Sequence, residues 1–406
     1  MDLSQVIIDI AAGPFGSNLK VECFVQSGFP IIDGANLKGF KVTDNITKFV
    51  TEEKAQSLHR SIAHRGDVVV TISGTIGQIA YIPENSKYEA YLVSQRQFRV
   101  TFDRTKVFVP YLVYYFHTEQ GQHQILSFAN QTGVPALSQP LKNFKKISID
   151  LPSIEKQRRI AGILGSLDDK IELNRRINAN LEAQAQAFFK SWFVDFEPFR
   201  DGPFVDSELG KIPKGWRIGT IDEIIQILSG YAFKSETFTE TGPYRLVTIK
   251  NVQDGSLNID GAVYVSEIPD KMPQHCHLDI GDILLSLTGN VGRVCIVDRD
   301  GLLLNQRVAK LHPKDKRNTF FTYALFRQDS FKQYLIQIAK GTAQLNLSPV
   351  ETGNMKIVLA NQDILLQFCE IGQPIFDNII LNCMEIITLS TMRDTLLPKL
   401  MAGELL

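Results

Sequence analysis

Polar and basic side chains recur beside short glycine turns in this sequence, and their chemistry suits recognition better than bond-making. Ser73 and Thr75 stand in the turn SGTIG, and Gln95 and Arg96 follow a β-rich run. Arginine presents two parallel donors that fit guanine, whereas asparagine and glutamine fit adenine. Lysine supplies the phosphate contacts that such binding also needs. These residue types are compatible with contacts to nucleic-acid bases and phosphates.

The sequence carries few groups that are arranged for catalysis. The sequence has no GxxxxGK[ST] loop for nucleotide phosphates and no Asn/Asp-Pro-Pro-aromatic tetrapeptide to hold a flipped adenine. His117 and His123 lack the HExxH spacing of a zinc hydrolase. His275, Cys276 and His277 are consecutive, so their side chains point in different directions on a loop or strand. The sequence therefore predicts no catalytic residue and no metal site.

The composition is that of a globular protein large enough for two or three domains. The 406 residues are 44% hydrophobic and 21% charged, and the net charge of −1 means that any DNA-binding surface must be local. Five scattered cysteines without a CxxC pair indicate a reducing compartment. We expect no membrane-spanning run and no signal peptide, and hence a cytoplasmic protein.

The order of motifs occurs twice along the chain, and this duplication is the strongest feature of the sequence. The second copy follows a linker rich in Pro, Gly and Asp that begins after Pro198. The matched segments are RGDVVVTISGTIG (65–77) with IGDILLSLTGNVG (280–292), Gln95-Arg96 with Gln306-Arg307, and VPYLVYYF (109–116) with the helix containing FFTYALF (320–326).

A long amphipathic helix is predicted from about Pro152 to Trp192, and a second one recurs at the end of the other copy. Apolar residues in strict 4-3 spacing form a heptad seam, and charged residues fill the other faces. Each helix is expected to find its partner in the other copy. The seam positions are Leu167, Ile171, Asn174, Leu181, Phe188 and Trp192 in the first helix, and Ile375, Ile379, Asn382, Leu389, Leu396 and Leu400 in the second.

The sequence resembles the specificity subunits of type I restriction-modification enzymes over nearly its whole length. The resemblance rests on GPFGSNLK, SGTIGQIAYIP, LPSIEKQRRIAGILGSLDDKIELN, IPKGW, SGYAFKSETF and LLPKLMAGEL, of which the long-helix and C-terminal motifs are the most specific. It implies a non-catalytic DNA reader whose two target-recognition domains each bind half of a split target. One departure is visible, because the first copy lacks a counterpart of IPKGW (212–216).

The predicted fold is α+β, with two tandem α/β target-recognition domains separated by two long antiparallel helices that form a coiled coil, and an internal pseudo-two-fold repeat. The predicted domains are residues 1–150, the first recognition domain; 151–198, the central long helix; 199–360, the linker and second recognition domain; and 361–406, the C-terminal long helix. The pseudo-two-fold axis is expected to bring Asn174 close to Asn382.

The resemblance also implies partners. The helix pair would set the spacing of the half-sites and dock two methyltransferase subunits, and motor-nuclease subunits would join for cleavage. S-adenosylmethionine, ATP and Mg would bind to those partners and not to this chain. Phe193 and Met401 flank the seam and are predicted to dock the methyltransferase subunits. The assembled complex would methylate adenine at N6 and cleave DNA at the expense of ATP.

Candidate DNA-binding residues come from the turns shared by both copies and from basic residues near them. At the shared positions a purely structural role in the turns is an alternative, and each lysine could be an ordinary surface charge. The candidates are Ser17, Asn18, Lys20, Ser73, Thr75, Gln95, Arg96, Lys234, Lys250, Asn251, Thr288, Asn290, Arg293, Gln306, Arg307, Lys340, Thr342 and Gln344.

Three other functions remain open at this stage. The chain could be a self-sufficient methyltransferase or nuclease, or a coiled-coil scaffold for protein binding. It could also read DNA for a fused methyltransferase-nuclease of a type II system, which the sequence does not separate from a type I subunit. Neither the DNA target nor its spacer length follows from the sequence.

Overall fold

A computed structural model of the protein describes residues 1–130, 133–341 and 344–405. The chain divides into two units: unit 1 is Met1–Asp169 with Leu389–Leu406, and unit 2 is Lys170–Thr388. Both boundaries fall inside the two long helices, Ile154–Phe193 and Gln362–Met401. Each unit therefore contains a part of both helices, and the helices belong to the cores of the units.

Unit 1 contains two four-stranded sheets. The first is antiparallel throughout, and in the second Phe29–Ile32 runs parallel to Ala90–Val93. In order across each sheet, the strands are Ile7–Ala12, Gln97–Phe102, Val68–Thr71 and Ile79–Tyr81, then Phe49–Val50, Phe29–Ile32, Ala90–Val93 and Ile62–His64. The shorter α-helices are Glu52–Ser57, Val109–Phe116, Glu119–Leu126 and Pro140–Lys145.

The strand Val68–Thr71 shows how the sequence pattern builds this arrangement. All four residues are buried, because successive side chains leave the strand on opposite faces and both faces are covered. Val68 and Val70 join the core that includes residues of the helix Val109–Phe116, whereas Val69 packs in the same core as Tyr91 of the second sheet. A strand between two cores therefore reads as a continuous apolar run.

Unit 2 repeats this plan. A four-stranded antiparallel sheet lies beside a five-stranded sheet, in which Tyr244–Val247 is parallel to Leu302–Leu304. The strands, in order, are Ile225–Ser229, Val308–Pro313, Ile283–Ser286 and Val294–Ile296, then Phe238–Thr239, Tyr264–Val265, Tyr244–Val247, Leu302–Leu304 and His277–Leu278. The shorter α-helices are Thr319–Phe326, Asp329–Ile338 and Pro349–Gly353, and the pairs Phe204–Ser207 with Gly210–Pro213 and Arg217–Thr220 with Lys356–Leu359 complete the unit.

The long helices run antiparallel, as the internal pseudo-two-fold repeat predicts. Within unit 2, the ring of Phe188 stacks on that of Phe368 at 4.6 Å between centroids, and Asn178 Nδ2 donates to the carbonyl of Ile379 at 3.3 Å. As residue numbers increase along the first helix, the numbers of the residues contacted on the second helix therefore decrease. Within unit 1, the start of the first helix packs against the end of the second through Ile160, Leu164, Leu397 and Leu400.

The seam asparagines pair differently from the prediction. Asn382 Nδ2 donates to Asn178 Oδ1 at 2.8 Å, while the buried Asn174 donates to Glu385 Oε2 at 2.7 Å. The expected contact between Asn174 and Asn382 is therefore wrong. Equivalence under a pseudo-two-fold axis does not fix where that axis crosses the helices, and the register puts Asn382 opposite the residue one turn beyond Asn174.

A half-buried ion pair ties the two long helices of unit 1 to its helix Val109–Phe116. Asp168 accepts hydrogen bonds from the Tyr114 hydroxyl and from Arg393 Nη1, the latter at 2.8 Å. The Arg393 guanidinium also lies 5.0 Å from the ring centroid of Phe40. Burial raises the pKa of Tyr114 and the Asp168 carboxylate raises it further, so the phenol stays protonated and donates.

A comparable cluster anchors unit 2. Arg327 follows the helix Thr319–Phe326 and donates to Glu182 Oε2 of the first long helix at 3.0 Å. Asp254 pairs with both Arg327 and Lys332. Burial raises the pKa of Glu182 in spite of its arginine partner. Burial alone would raise the pKa of Asp254, but Lys332 and Arg327 outweigh the effect of burial and lower this pKa.

The second long helix is more apolar than expected. By length and composition alone, Gln362–Met401 is apolar enough to cross a membrane, although most of its most apolar stretch is not buried in this structure. One face of this helix packs in the seam, and the other faces expose Ile371, Leu381, Met384 and Met392.

We predict that the Asn178–Asn382 pair sets the register of the seam. Asn382→Leu should lower the free energy of unfolding by about 1–3 kcal/mol, because it leaves Asn178 Oδ1 without its donor between two helices. Asn178→Leu combined with Asn382→Leu should regain most of that loss, since it removes both polar groups. Thermal unfolding followed by circular dichroism gives both values, and strictly additive losses would contradict a direct pairing.

Candidate nucleic-acid interface

Four loops of unit 1 meet at one end of its first sheet, and we call them the unit 1 loop cluster. They are residues 13–20, 73–77, 94–97 and 133–137. Backbone hydrogen bonds fasten the loops to each other and to the neighbouring strands: Gly13 N to Gln97 O at 2.8 Å, Ile72 N to Arg96 O at 2.6 Å, Gly74 N to Pro135 O at 2.9 Å and Leu137 N to Ile72 O at 2.8 Å.

The corresponding loops of unit 2 form the unit 2 loop cluster with the same bonding. They are residues 230–237, 288–292, 305–308 and 344–347. The equivalent bonds are Gly230 N to Val308 O at 3.0 Å, Leu287 N to Arg307 O at 2.9 Å, Gly289 N to Leu345 O at 3.2 Å and Leu347 N to Leu287 O at 2.7 Å. The duplication read from the sequence therefore extends to the backbone bonds that position these loops.

Glycine is required where two of these loops cross. A β-carbon on Gly13 would lie 1.9 Å from the carbonyl oxygen of Ser94, and one on Gly230 would lie 2.2 Å from that of Asn305. No side chain fits at such distances. The first loop in each cluster is therefore pressed against the loop that carries the Gln-Arg dipeptide.

The Gln-Arg dipeptides stand at the centre of each cluster. Gln95, Arg96, Gln306 and Arg307 are exposed, and among the described residues their side chains make no hydrogen bond or ion pair. Arg307 has a φ of 71°, a left-handed conformation that costs energy for a residue with a β-carbon. An exposed arginine held in a strained backbone, with its guanidinium unengaged, is suited to bind a ligand outside the chain.

Several other predicted residues are exposed at the clusters. Ser17, Asn18 and Lys20 lie on the first loop of unit 1, and Ser73 and Thr75 on the second, where Ser73 is half-buried. The exposed counterparts in unit 2 are Lys234, Asn290 and Gln344, and Lys250 is exposed on a neighbouring loop. Thr342 lies outside the described residues, as do Gln131 and Thr132.

Other predicted residues are engaged within the fold. Asn251 is buried, accepts from Thr248 N at 2.8 Å and donates to the Asn258 carbonyl at 2.9 Å, so it holds a turn and does not face a ligand. Arg293 donates to Gln253 at 2.9 Å and Lys340 pairs with Glu351. Thr288 is buried with its hydroxyl unpaired. These contacts favour the structural alternative for Asn251, whereas the ion pair of Lys340 lies on the surface.

The first loops of the two units align through a shared lysine. Lys20 corresponds to Lys234, because each precedes a 3₁₀ turn that leads to Phe24 and Phe238 respectively. The shared segments KVECF and KSETF carried this signal in the sequence. Between the crossing glycine and this lysine, the loop of unit 1 is three residues longer. Phe15 lies in the longer loop and is 83% exposed, although sequence reasoning did not select it.

The two residues predicted to dock partners do not face outward freely. Phe193 is buried and packs against Trp216, Phe321 and Phe368 in the core of unit 2. Met401 is half-buried against the core of unit 1. The prediction is wrong for Phe193, because residues that flank a seam at the end of a long helix are covered by the sheets and helices of its own unit.

Fold and loop clusters together define a protein with two tandem recognition modules that share a helix pair. The model of the protein family described as type I restriction modification DNA specificity domain matches residues 19–183 and 213–364, once in each copy. The type I restriction enzyme MjaIX specificity subunit of Methanocaldococcus jannaschii is 30% identical over 362 residues, covering 88% of this chain and 81% of that protein. The HindI specificity subunit of Haemophilus influenzae is 28% identical over 329 residues, covering 64% of this chain and 69% of that protein.

A crystal structure of the type I restriction-modification S subunit from M. genitalium shares the fold, with a TM-score of 0.56 and 17% identity over 98% of this chain and 95% of that one. The chain belongs to the family of type I restriction-modification DNA specificity subunits. Such subunits are non-catalytic, and within the described residues no group of three or more His, Cys, Asp or Glu side chains could hold a metal ion.

We predict opposite effects from two substitutions in unit 2. Asn251→Ala should lower the free energy of unfolding by about 1–3 kcal/mol, because Thr248 N and the Asn258 carbonyl lose their partner. Arg307→Gly should leave stability unchanged or raise it slightly, because glycine adopts a φ of 71° without strain. Chemical denaturation measures both. A large loss of stability from Arg307→Gly would show that this arginine serves the fold.

Proposed function

We propose that each loop cluster binds one half of a bipartite duplex target, and that the helix pair connects the two DNA-binding units. The observation that carries this proposal is the duplicated cluster with an exposed Gln-Arg dipeptide at its centre in both units. Arginine and glutamine are side chains that discriminate bases in the major groove. A protein with two such clusters on one chain reads two short segments separated by an unread spacer.

The exposed lysines support this proposal because lysine contacts to phosphate increase the affinity for DNA. Lys20 and Lys234 occupy equivalent positions beside the clusters, and Lys250 lies on a neighbouring loop. Contacts from lysine to phosphate fix a protein on the duplex but carry little sequence information. The division of labour that we propose is therefore base reading by the Gln-Arg dipeptides and the first loops, with phosphate binding by these lysines.

The apolar surface of the helix pair supports docking of modification subunits. Leu173 and Ile177 are exposed one turn apart on the first helix, and Leu381 and Met384 one turn apart on the second; we call these four residues the central apolar patch. The neighbouring bonds from Asn174 to Glu385 and from Asn382 to Asn178 put both pairs at one level of unit 2. At about 100° per residue, Leu173, Ile177 and Leu381 lie on the same side of the seam.

The remaining functions belong to partners in this proposal. Two methyltransferase subunits would bind S-adenosylmethionine and methylate adenine at N6, and motor-nuclease subunits would use ATP and Mg for cleavage, in the cytoplasm. A reader for a fused type II methyltransferase-nuclease would use the same DNA-binding residues. Purification of the native complex decides between the two, since separate modification and nuclease chains are expected here.

Duplex binding by the full-length chain tests the proposed function. Binding should be selective for one bipartite sequence and should weaken steeply with salt. Arg96→Ala should weaken binding about 5- to 100-fold and relax the sequence at one half-site only, and Arg307→Ala should do so at the other. Lys250→Ala is the matched control: it should weaken binding to all duplexes equally and lower the salt slope by about one. Equal binding of all sequences by the unmodified chain would contradict the proposal.

A second experiment tests the central apolar patch. Leu381→Glu should weaken capture of the modification subunit about tenfold or more, because it places a charge where a leucine side chain would be buried. DNA binding by the free chain should not change. Ile8→Glu replaces a similarly exposed residue away from the helices and should leave assembly intact. Equal assembly of both variants would rule out this patch as the docking surface.

A further inference from the structure

The two loop clusters share their backbone but differ in the character of their exposed side chains. In unit 1, three apolar residues on or beside the loops are largely exposed: Phe15 (83%), Val21 (79%) and Val134 (74%). Exposing large apolar side chains to water is unfavourable, and three of them around one set of loops indicates a surface that becomes covered when a ligand binds.

Unit 2 has polar or small residues at the corresponding positions. Val21 corresponds to Ser235, since each follows the lysine that caps the 3₁₀ turn. Val134 corresponds to Gln344, since each precedes the residue whose carbonyl accepts from Gly74 or Gly289. Phe15 lies in the longer loop of unit 1, and the shorter loop of unit 2 exposes only Ala232 and polar residues there. The apolar character is therefore not required by the shared fold.

Two of the apolar residues, Phe15 and Val134, lie beside the groups that we assign to base reading. A β-carbon on Gly16, the neighbour of Phe15, would lie 2.8 Å from Gln95 Oε1, so the tip of the first loop borders the Gln-Arg dipeptide. Pro135, next to Val134, accepts from Gly74 N at 2.9 Å, and a β-carbon on Gly74 would lie 3.7 Å from Arg96 Nη1. Phe15 and Val134 therefore border the loops of Gln95 and Arg96.

We infer that Phe15, with Val134 and Val21, contacts the C5-methyl groups of thymine in the half-site that unit 1 reads. This inference rests on the proposed function, because it requires the loop cluster of unit 1 to face the major groove. The thymine methyl is the apolar group of that groove, and it lies beside the acceptors that arginine and glutamine bind. Unit 2, with serine and glutamine at the equivalent positions, reads its half-site through polar contacts.

Replacing thymine by uracil removes only the methyl group and leaves base pairing intact. The half-site of unit 1 is first identified as the one that changes when residues 1–150 are exchanged. Each thymine of both half-sites is then replaced singly by uracil, and binding by the full-length chain is measured. Burial of one methyl group contributes about 0.8 kcal/mol, so at least one replacement in the half-site of unit 1 should weaken binding about fourfold.

The same duplexes are bound to Phe15→Ala, Val134→Gln and Val21→Ser, the last two carrying the residues of unit 2. These variants replace exposed side chains, and unfolding temperatures confirm that they fold. Phe15→Ala should bind the thymine and uracil duplexes equally well at the position where the unmodified chain distinguishes them. Val134→Gln and Val21→Ser should each reduce discrimination at other positions of the same half-site. Ile8→Glu should preserve every difference.

Three results would overturn the inference. The first is that no replacement of thymine by uracil in the half-site of unit 1 weakens binding, or that Phe15→Ala still shows the full loss of binding on that replacement. The second is a rise in 2-aminopurine fluorescence on binding that Phe15→Ala abolishes, which would make Phe15 a wedge between bases. The third is weaker capture of the modification subunit by Phe15→Ala with thymine discrimination intact. Loss of all sequence-selective binding by the unmodified chain would instead refute the proposed function.

Discussion

The pairing of the two long helices is the constraint on which the rest of the molecule depends. Each unit uses segments of both helices as part of its core, so neither unit is complete until residues far apart in sequence have met. In unit 2, the seam residue Phe188 stacks on Phe368 within the core. In unit 1, Asp168 and Arg393 bring the same two helices to Tyr114. A shift of the seam by one turn would therefore disturb both cores and the loop clusters built on them.

Duplication explains why the fold is shared while the recognition surfaces differ. Some residues that are the same in both units, such as Gly13 with Gly230 and the buried Asn36 with Asn251, serve close packing and turns, whereas the shared Gln-Arg dipeptides are exposed. The residues that differ stand on the loops these turns position. Their backbone is fixed by the same hydrogen bonds in both units, so side chains on the loops can change with little effect on the core. In the function that we propose, this separation lets the two units read different half-sites.

Much of this architecture could be predicted from the sequence because it repeats. Periodicity identified both long helices, the duplication with its pseudo-two-fold axis predicted their antiparallel arrangement, and matched motifs identified the shared loops. Three features escaped. The partner of Asn382 depends on where the pseudo-two-fold axis crosses the helices, which no periodicity fixes. The burial of Phe193 depends on covering elements from elsewhere in the chain. Phe15 was missed because its exposure follows from a longer loop, and an apolar residue beside glycine more often belongs to a core.

The central claim is that two loop clusters read two half-sites independently. The most direct measurement is to exchange residues 1–150 for those of another family member and to map the methylated adenines by sequencing the genome of a host that carries the hybrid. The account predicts a bipartite target in which one half-site is new, while the other half-site and the spacer length are unchanged. A target altered in both half-sites, or altered in neither, would contradict it.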